Sequence, residues 1–223
     1  MPKEPAMSPL APLFKTCSAL LCYPEGDLPG AVPELRAALA ASPDLLARVA
    51  PLLDWLETED LILLQEAYVQ LFDRNPAHSL HLFEHIHGED RDRGQAMVDL
   101  LEEYRQHGFE PVCDELPDYL PLFLEFLSLC EPEEGARLLG DAVHVLNHVG
   151  EKLVQSQSPY AGVFQVLVAQ SPVAPEPLVT PPVRDMDEAM ETFGPGPDGV
   201  EPLLRPGRPA LAPVNFYPHA PQP

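Results

Sequence analysis

The sequence predicts an all-α fold, a single bundle of about seven to nine helices over residues 1–170 with a proline-rich tail over 171–223. Three observations carry this. Apolar residues recur at helical spacing in one segment after another. No strand-like alternation with paired turn signals competes with them. Fourteen of the 29 prolines fall in the last 53 residues, in runs such as SPVAPEPLVTPPVRD, where they would interrupt helix and sheet alike. That acidic segment is expected to be extended and largely disordered.

The elements follow in order. LAPLFKTCSALLCYP opens the bundle, and two segments between Ala31 and Glu57, divided at Ser42-Pro43, continue it. In ETEDLILLQEAYVQLFD, Leu61, Leu64, Tyr68, Leu71 and Phe72 mark one helical face, with Thr58 or Asp60 as its start. In RGQAMVDLLEEYRQHG, Met97, Leu100, Leu101 and Tyr104 do the same, and Gly108 suits a left-handed stop. A helix from about Asp118 to Cys130 should bury Leu120, Phe123, Leu124 and Leu127, with Pro117 and Pro121 near its start. The longest helix runs from Glu133 to about Gln155, turning Leu139, Ala142, Val143, Leu146, Val149 and Leu153 inward. YAGVFQVLVAQ forms the last one after Pro159. Grooves between helices of such a bundle are common sites for peptides and cofactors.

Thirteen Lys plus Arg against 35 Asp plus Glu give a formal charge of -22. Such a surface repels nucleic acid and anionic lipid and attracts basic partners; simple solubility is the plainer use of the same charge. Cys17, Cys22, Cys113 and Cys130 form no C-x-x-C pair, which fits a reducing compartment. The early apolar run is too short to span a bilayer and contains Lys15, so a cytoplasmic protein without stable membrane insertion is expected.

Three of the eight histidines, His81, His85 and His87, fall within seven residues. His81, Glu84 and His85 spell H-x-x-E-H, in which two helical histidines hold zinc and the glutamate activates its water. A third ligand could come from His87, His144 or His148. The plainer alternative puts His81 on a helix surface and has His85 and His87 hydrogen-bond to neighbouring carboxylates. No phosphate loop and no nucleophile elbow accompany the motif. A binding module therefore fits better than an enzyme, with a zinc peptidase or an adaptor for another basic peptide as alternatives.

The run LFEHIHGEDRDRGQAMVDLL closely resembles the signature of NarJ-type nitrate reductase molybdenum cofactor assembly chaperones, within the TorD and DmsD class. CSALLCYPEGDL, YVQLFD and ELPDYLPLFLEFLSL are similar to further family blocks in the family order, and DEAMETFGPG to a short element in the tail. The resemblance spans most of residues 14 to 170. It implies a non-catalytic cytoplasmic chaperone for the catalytic alpha subunit of respiratory nitrate reductase. Such proteins bind the subunit's N-terminal segment, keep it competent for molybdenum cofactor insertion and prevent premature membrane docking. They hold no cofactor permanently; cofactor delivery proteins are further expected partners.

Carried onto this chain, the family's polar block falls on Phe83, Glu84, His85, His87, Gly88, Glu89, Arg91, Arg93 and Gly94, and its second segment on Glu115, Pro117 and Asp118. Tyr119 stands where relatives often carry histidine, and offers a hydroxyl and an aromatic face instead. An amphipathic client would lay its apolar side against Tyr68, Phe72 and Phe123, with Glu84, Glu89, Glu115 and Asp118 at the rim. For the aromatics the alternative is plain core; for Arg91 and Arg93 it is an ion pair with Asp90 or Asp92. His85 and His87 suggest pH-dependent binding. RDMDEAMETF in the tail either is a passive extension or competes for the groove.

Overall fold

The computed structural model describes residues 10–26, 28–87, 92–112 and 114–178. Glu89, Arg91, Cys113 and the tail segment RDMDEAMETF therefore lie outside the described residues. All described residues belong to one unit, Met1–Pro182; a second, Val183–Pro223, falls wholly outside them.

Among the described residues there are nine α-helices and no strand. Helix α1, Ala11–Leu21, has Pro12 in its first turn and buries Leu13, Phe14, Cys17, Leu20 and Leu21 at helical spacing. It packs along α7, Leu120–Leu129, the most uniformly apolar helix, which buries Leu120, Phe123, Leu124 and Leu127 as expected. Helices α2, Leu28–Leu39, and α3, Pro43–Thr58, form a neighbouring pair. The long α8, Pro132–Gln155, packs on α9, Ala161–Gln170, and α9 also meets α3.

Asp60 starts α4, Leu61–Tyr68, its side chain accepting from the Ile62 amide at 2.9 Å. Thr58 instead closes α3. Beyond Tyr68 the helix widens into a π turn, Val69–Asp73, closed by Arg74 N donating to Val69 O at 3.0 Å. With more than four residues per turn, that widening brings positions four apart nearly over one another. Tyr68 and Phe72 are thus both buried, with ring centroids 4.9 Å apart, while Leu71 is only partly buried.

Helix α6, Asp92–Gln106, buries Tyr104 and leaves Met97, Leu100 and Leu101 half-buried. Gly108 follows with φ +73°, the left-handed stop the sequence predicts. After α9 the chain turns back over α8: Glu176 N donates to His144 Nδ1 at 2.8 Å, and Pro172 and Val173 lie beside Gly140.

An acidic cleft backed by a buried aspartate

ELPDY does not begin a helix at Asp118. Its turn lies antiparallel to the segment before α5, Glu84–His87, through one bridge pairing His81 with Tyr119. Leu120 N donates to Leu80 O at 2.8 Å and Leu82 N to Asp118 O at 3.1 Å. Ser79 Oγ accepts from His81 N at 3.2 Å and closes the bend at Leu80 that leads into the bridge.

Asp118 is fully buried at this junction. Its Oδ2 accepts from Phe83 N at 3.0 Å, and its Oδ1 accepts from His81 Nδ1 at 3.2 Å. Arg93, at the start of α6, brings Nη2 within 3.9 Å of Asp118 and pairs with Glu84 at 3.0 Å. The two polar blocks of the sequence, 34 positions apart between Glu84 and Asp118, thus close around one carboxylate. A buried charge needs such partners, since an unpaired one is costly. The hydrogen bond to Asp118 raises the pKa of His81 above the ordinary histidine value, against the opposing effect of burial.

In front of this junction lies a cleft of about 610 Å³, lined by Tyr23, Tyr68, Phe72, Asp73, Pro76, Ser79, Leu80, His81, Glu84, Glu115 and Tyr119. Tyr68 donates to Leu21 O at 2.9 Å, and its hydroxyl lies 3.2 Å from that of Tyr119, whose pKa burial pushes up to about 12. Neither tyrosine ionises near neutral pH. Asp73, Glu84, itself paired with Arg93, and Glu115 supply the fixed negative charge, and among the described residues no Lys or Arg lines the cleft. The arrangement can receive a cation beside an apolar group.

Of the candidate site residues, the structure brings Tyr68, Phe72, Glu84, Glu115 and Tyr119 together on this wall. Asp118 is a correction: with no exposed surface it supports the wall from behind and cannot serve as rim. Phe123 is core, 4% exposed, and does not line the cleft. His85 is buried too, its Nε2 donating to Ser79 O at 2.9 Å. His87 is half-buried against the Phe83 ring. Arg93 pairs with Glu84 rather than serving only its own turn.

The H-x-x-E-H reading is overturned on geometry. His81 sits in the bridge to Tyr119, Leu82 and Phe83 turn with Glu84 N donating to His81 O at 3.1 Å, and α5 begins only at Glu84, so His81 is not on a helix with His85. His144 accepts from the Glu176 amide, and the His148 ring lies 6.0 Å from that of His85. The described residues with metal-ligand spacing are instead Glu103, His107 and Glu134. There the Arg137 guanidinium already bridges both carboxylates, at 2.7 Å and 2.6 Å.

Sequence reasoning missed Tyr23, Asp73, Pro76, Ser79 and Leu80. Tyr23 and Asp73 were visible at the ends of LLCY and YVQLFD; their shared wall needed tertiary pairing.

The fold and cleft define an all-helical protein with an acidic, aromatic-lined groove. Its fold is similar to the crystal structure of a candidate redox enzyme maturation protein from Archaeoglobus fulgidus, with TM-score 0.55 and 21% identity over 76% of this chain and 98% of that one. The chain belongs to the family described as nitrate reductase delta subunit, which it matches over residues 33–165. It is 44% identical over 155 residues to the nitrate reductase molybdenum cofactor assembly chaperone NarJ of Escherichia coli K12, covering 68% of this chain and 66% of that protein. The chain thus spans just under two thirds of that relative's length. It is 32% identical over 162 residues to the Probable nitrate reductase molybdenum cofactor assembly chaperone NarJ of Bacillus subtilis 168, covering 70% and 86%. These relatives carry the names of assembly chaperones, the non-catalytic class that the sequence predicts. Among the described residues no helix is long and apolar enough to cross a membrane.

Proposed function

We propose that this chain is a cytoplasmic assembly chaperone for respiratory nitrate reductase. It binds the N-terminal segment of the catalytic alpha subunit in the acidic cleft, holds the subunit competent for molybdenum cofactor insertion and delays its docking on the membrane. One observation carries the reading: Glu84, Glu115 and Asp73 line an aromatic cleft in which, among the described residues, no Lys or Arg stands and His81 is the one titratable base. A basic, amphipathic segment supplies what that cleft lacks.

Tyr68, Phe72 and Tyr119 meet the client's apolar side, and Glu84 and Glu115 its cation. Asp118, His85, Phe123 and Arg93 hold the wall in place; His87, Glu89 and Arg91 complete the candidate set. The chain holds no cofactor permanently, and cofactor delivery proteins are its further partners. Ordering a flexible client costs roughly 2–5 kcal/mol of the gross interaction energy, which keeps binding reversible.

Calorimetric titration with the N-terminal peptide of the alpha subunit, beside a charge-matched scrambled peptide, tests this. Selective binding that weakens in Glu84→Gln and Glu115→Gln is expected. Equal binding of both peptides would remove the client assignment.

A further inference from the structure

The acidic cleft does not end at Tyr23 and Tyr119. Those two residues and Glu115 also line a second cleft, of about 590 Å³, on the side facing α1, α2 and α7. Its character differs. Ala19 from α1, Leu28 and Ala31 from α2, and Leu122 from α7 line it. The two alanines leave room where larger residues would fill the space between neighbouring helices, and the buried Leu122 contributes apolar surface. The charged residues lining this cleft are Glu25, Glu115 and Glu125, again without any Lys or Arg among the described residues. The Cys22 thiol, also in its lining, is pushed up to about 11, first by burial and then by Glu125, Glu115 and Glu25. The negative field of the first cleft therefore continues into the second.

We propose that the two clefts are halves of one bipartite site for a single client segment. The client's cation sits at Glu84 and Glu115, and an aliphatic side chain of the same segment enters between Ala19, Leu28, Ala31 and Leu122. This rests on the client-binding reading above and adds to it a specificity-determining pocket. Charge selects the occupant: an anionic segment such as RDMDEAMETF would meet carboxylates in both halves, whereas a basic amphipathic peptide meets complementary charge throughout. The shared Tyr23–Tyr119 wall makes the halves contiguous, so both engage one segment without a linker's entropic cost.

The test uses the full chain and the alpha-subunit N-terminal peptide. Ala31→Phe fills the second cleft and should weaken binding about ten-fold, the scale of excluding two buried methylenes. It should have no effect on a peptide whose aliphatic residues are replaced by alanine. Glu125→Gln, an exposed change that leaves packing alone, should weaken the native peptide about two- to three-fold and lower the salt dependence.

Glu84→Gln should act only on peptides that keep their basic residues. Unchanged affinity in Ala31→Phe with a native melting temperature would overturn the bipartite site, while Glu84 sensitivity would leave the first cleft standing. A concentration-dependent dimer of the native protein that Ala31→Phe abolishes would assign the second cleft to another copy and likewise overturn it. No selective binding by the native protein would remove the client reading and this inference together.

Discussion

His81 Nδ1 donates to Asp118 Oδ1 across 3.2 Å, and the same two-residue contact joins the polar blocks on either side of α6. Asp118 is wholly buried and His81 stands on the cleft wall. The pair therefore links the stability of the junction to the charge of the site.

The pH dependence of stability should carry this link. The folded pKa of His81 is raised, first by the Asp118 hydrogen bond. Its contribution is present in full below the unfolded value of about 6.5 and is lost as pH rises through the folded value. His78 runs the other way: burial lowers its pKa, so its contribution is full above about 6.5 and is lost as pH falls through the folded value. Melting temperature measured against pH should lose its alkaline-side decline in His81→Gln and its acid-side decline in His78→Gln. Profiles parallel to the native one would disprove the assignment. Neutral His81 also leaves the cleft more negative, so a basic client should bind more tightly as pH rises.

Asp118→Ala should cost about 3–5 kcal/mol, the usual penalty for removing one partner of a buried charged set. It strands the Phe83 amide and the His81 ring and withdraws a carboxylate from beside Arg93. Asp118→Asn keeps an acceptor for the Phe83 amide and should cost less. Chemical denaturation of both variants checks the order; Asn as costly as Ala would mean that charge rather than acceptor geometry dominates.

Two glycine-to-alanine changes should have opposite signs. A Cβ on Gly162 would sit 2.0 Å from the Arg48 carbonyl oxygen, so α9 could not approach α3 as closely. Gly162→Ala should destabilise by about 1–3 kcal/mol or more. Among the described residues nothing lies within 4 Å of a Cβ on Gly94, an exposed position of α6, where alanine should stabilise by roughly 0.5–1 kcal/mol. Thermal melts of the two variants decide it, and a stable Gly162→Ala would show that the two helices can move apart at little cost.

The sequence by itself determined the helices, because their apolar periodicity, the Asp60 cap and the Gly108 stop act through neighbours within a turn or two. It also determined which residues carry unusual polarity, and through them the resemblance to a chaperone family. Tertiary structure alone decided what those residues do. Periodicity cannot register the pairing of His81 with Tyr119, a contact across 38 positions that keeps His81 out of the helix of His85. Nor can it tell a rim carboxylate from a buried one, as Glu115 and Asp118 are three residues apart with opposite exposure. The π turn after Tyr68 likewise departs from a regular helical repeat, and with it the tilted ring contact of Tyr68 with Phe72 at the cleft. Burial and pairing are properties of distant chain segments brought together, and only the folded chain specifies them.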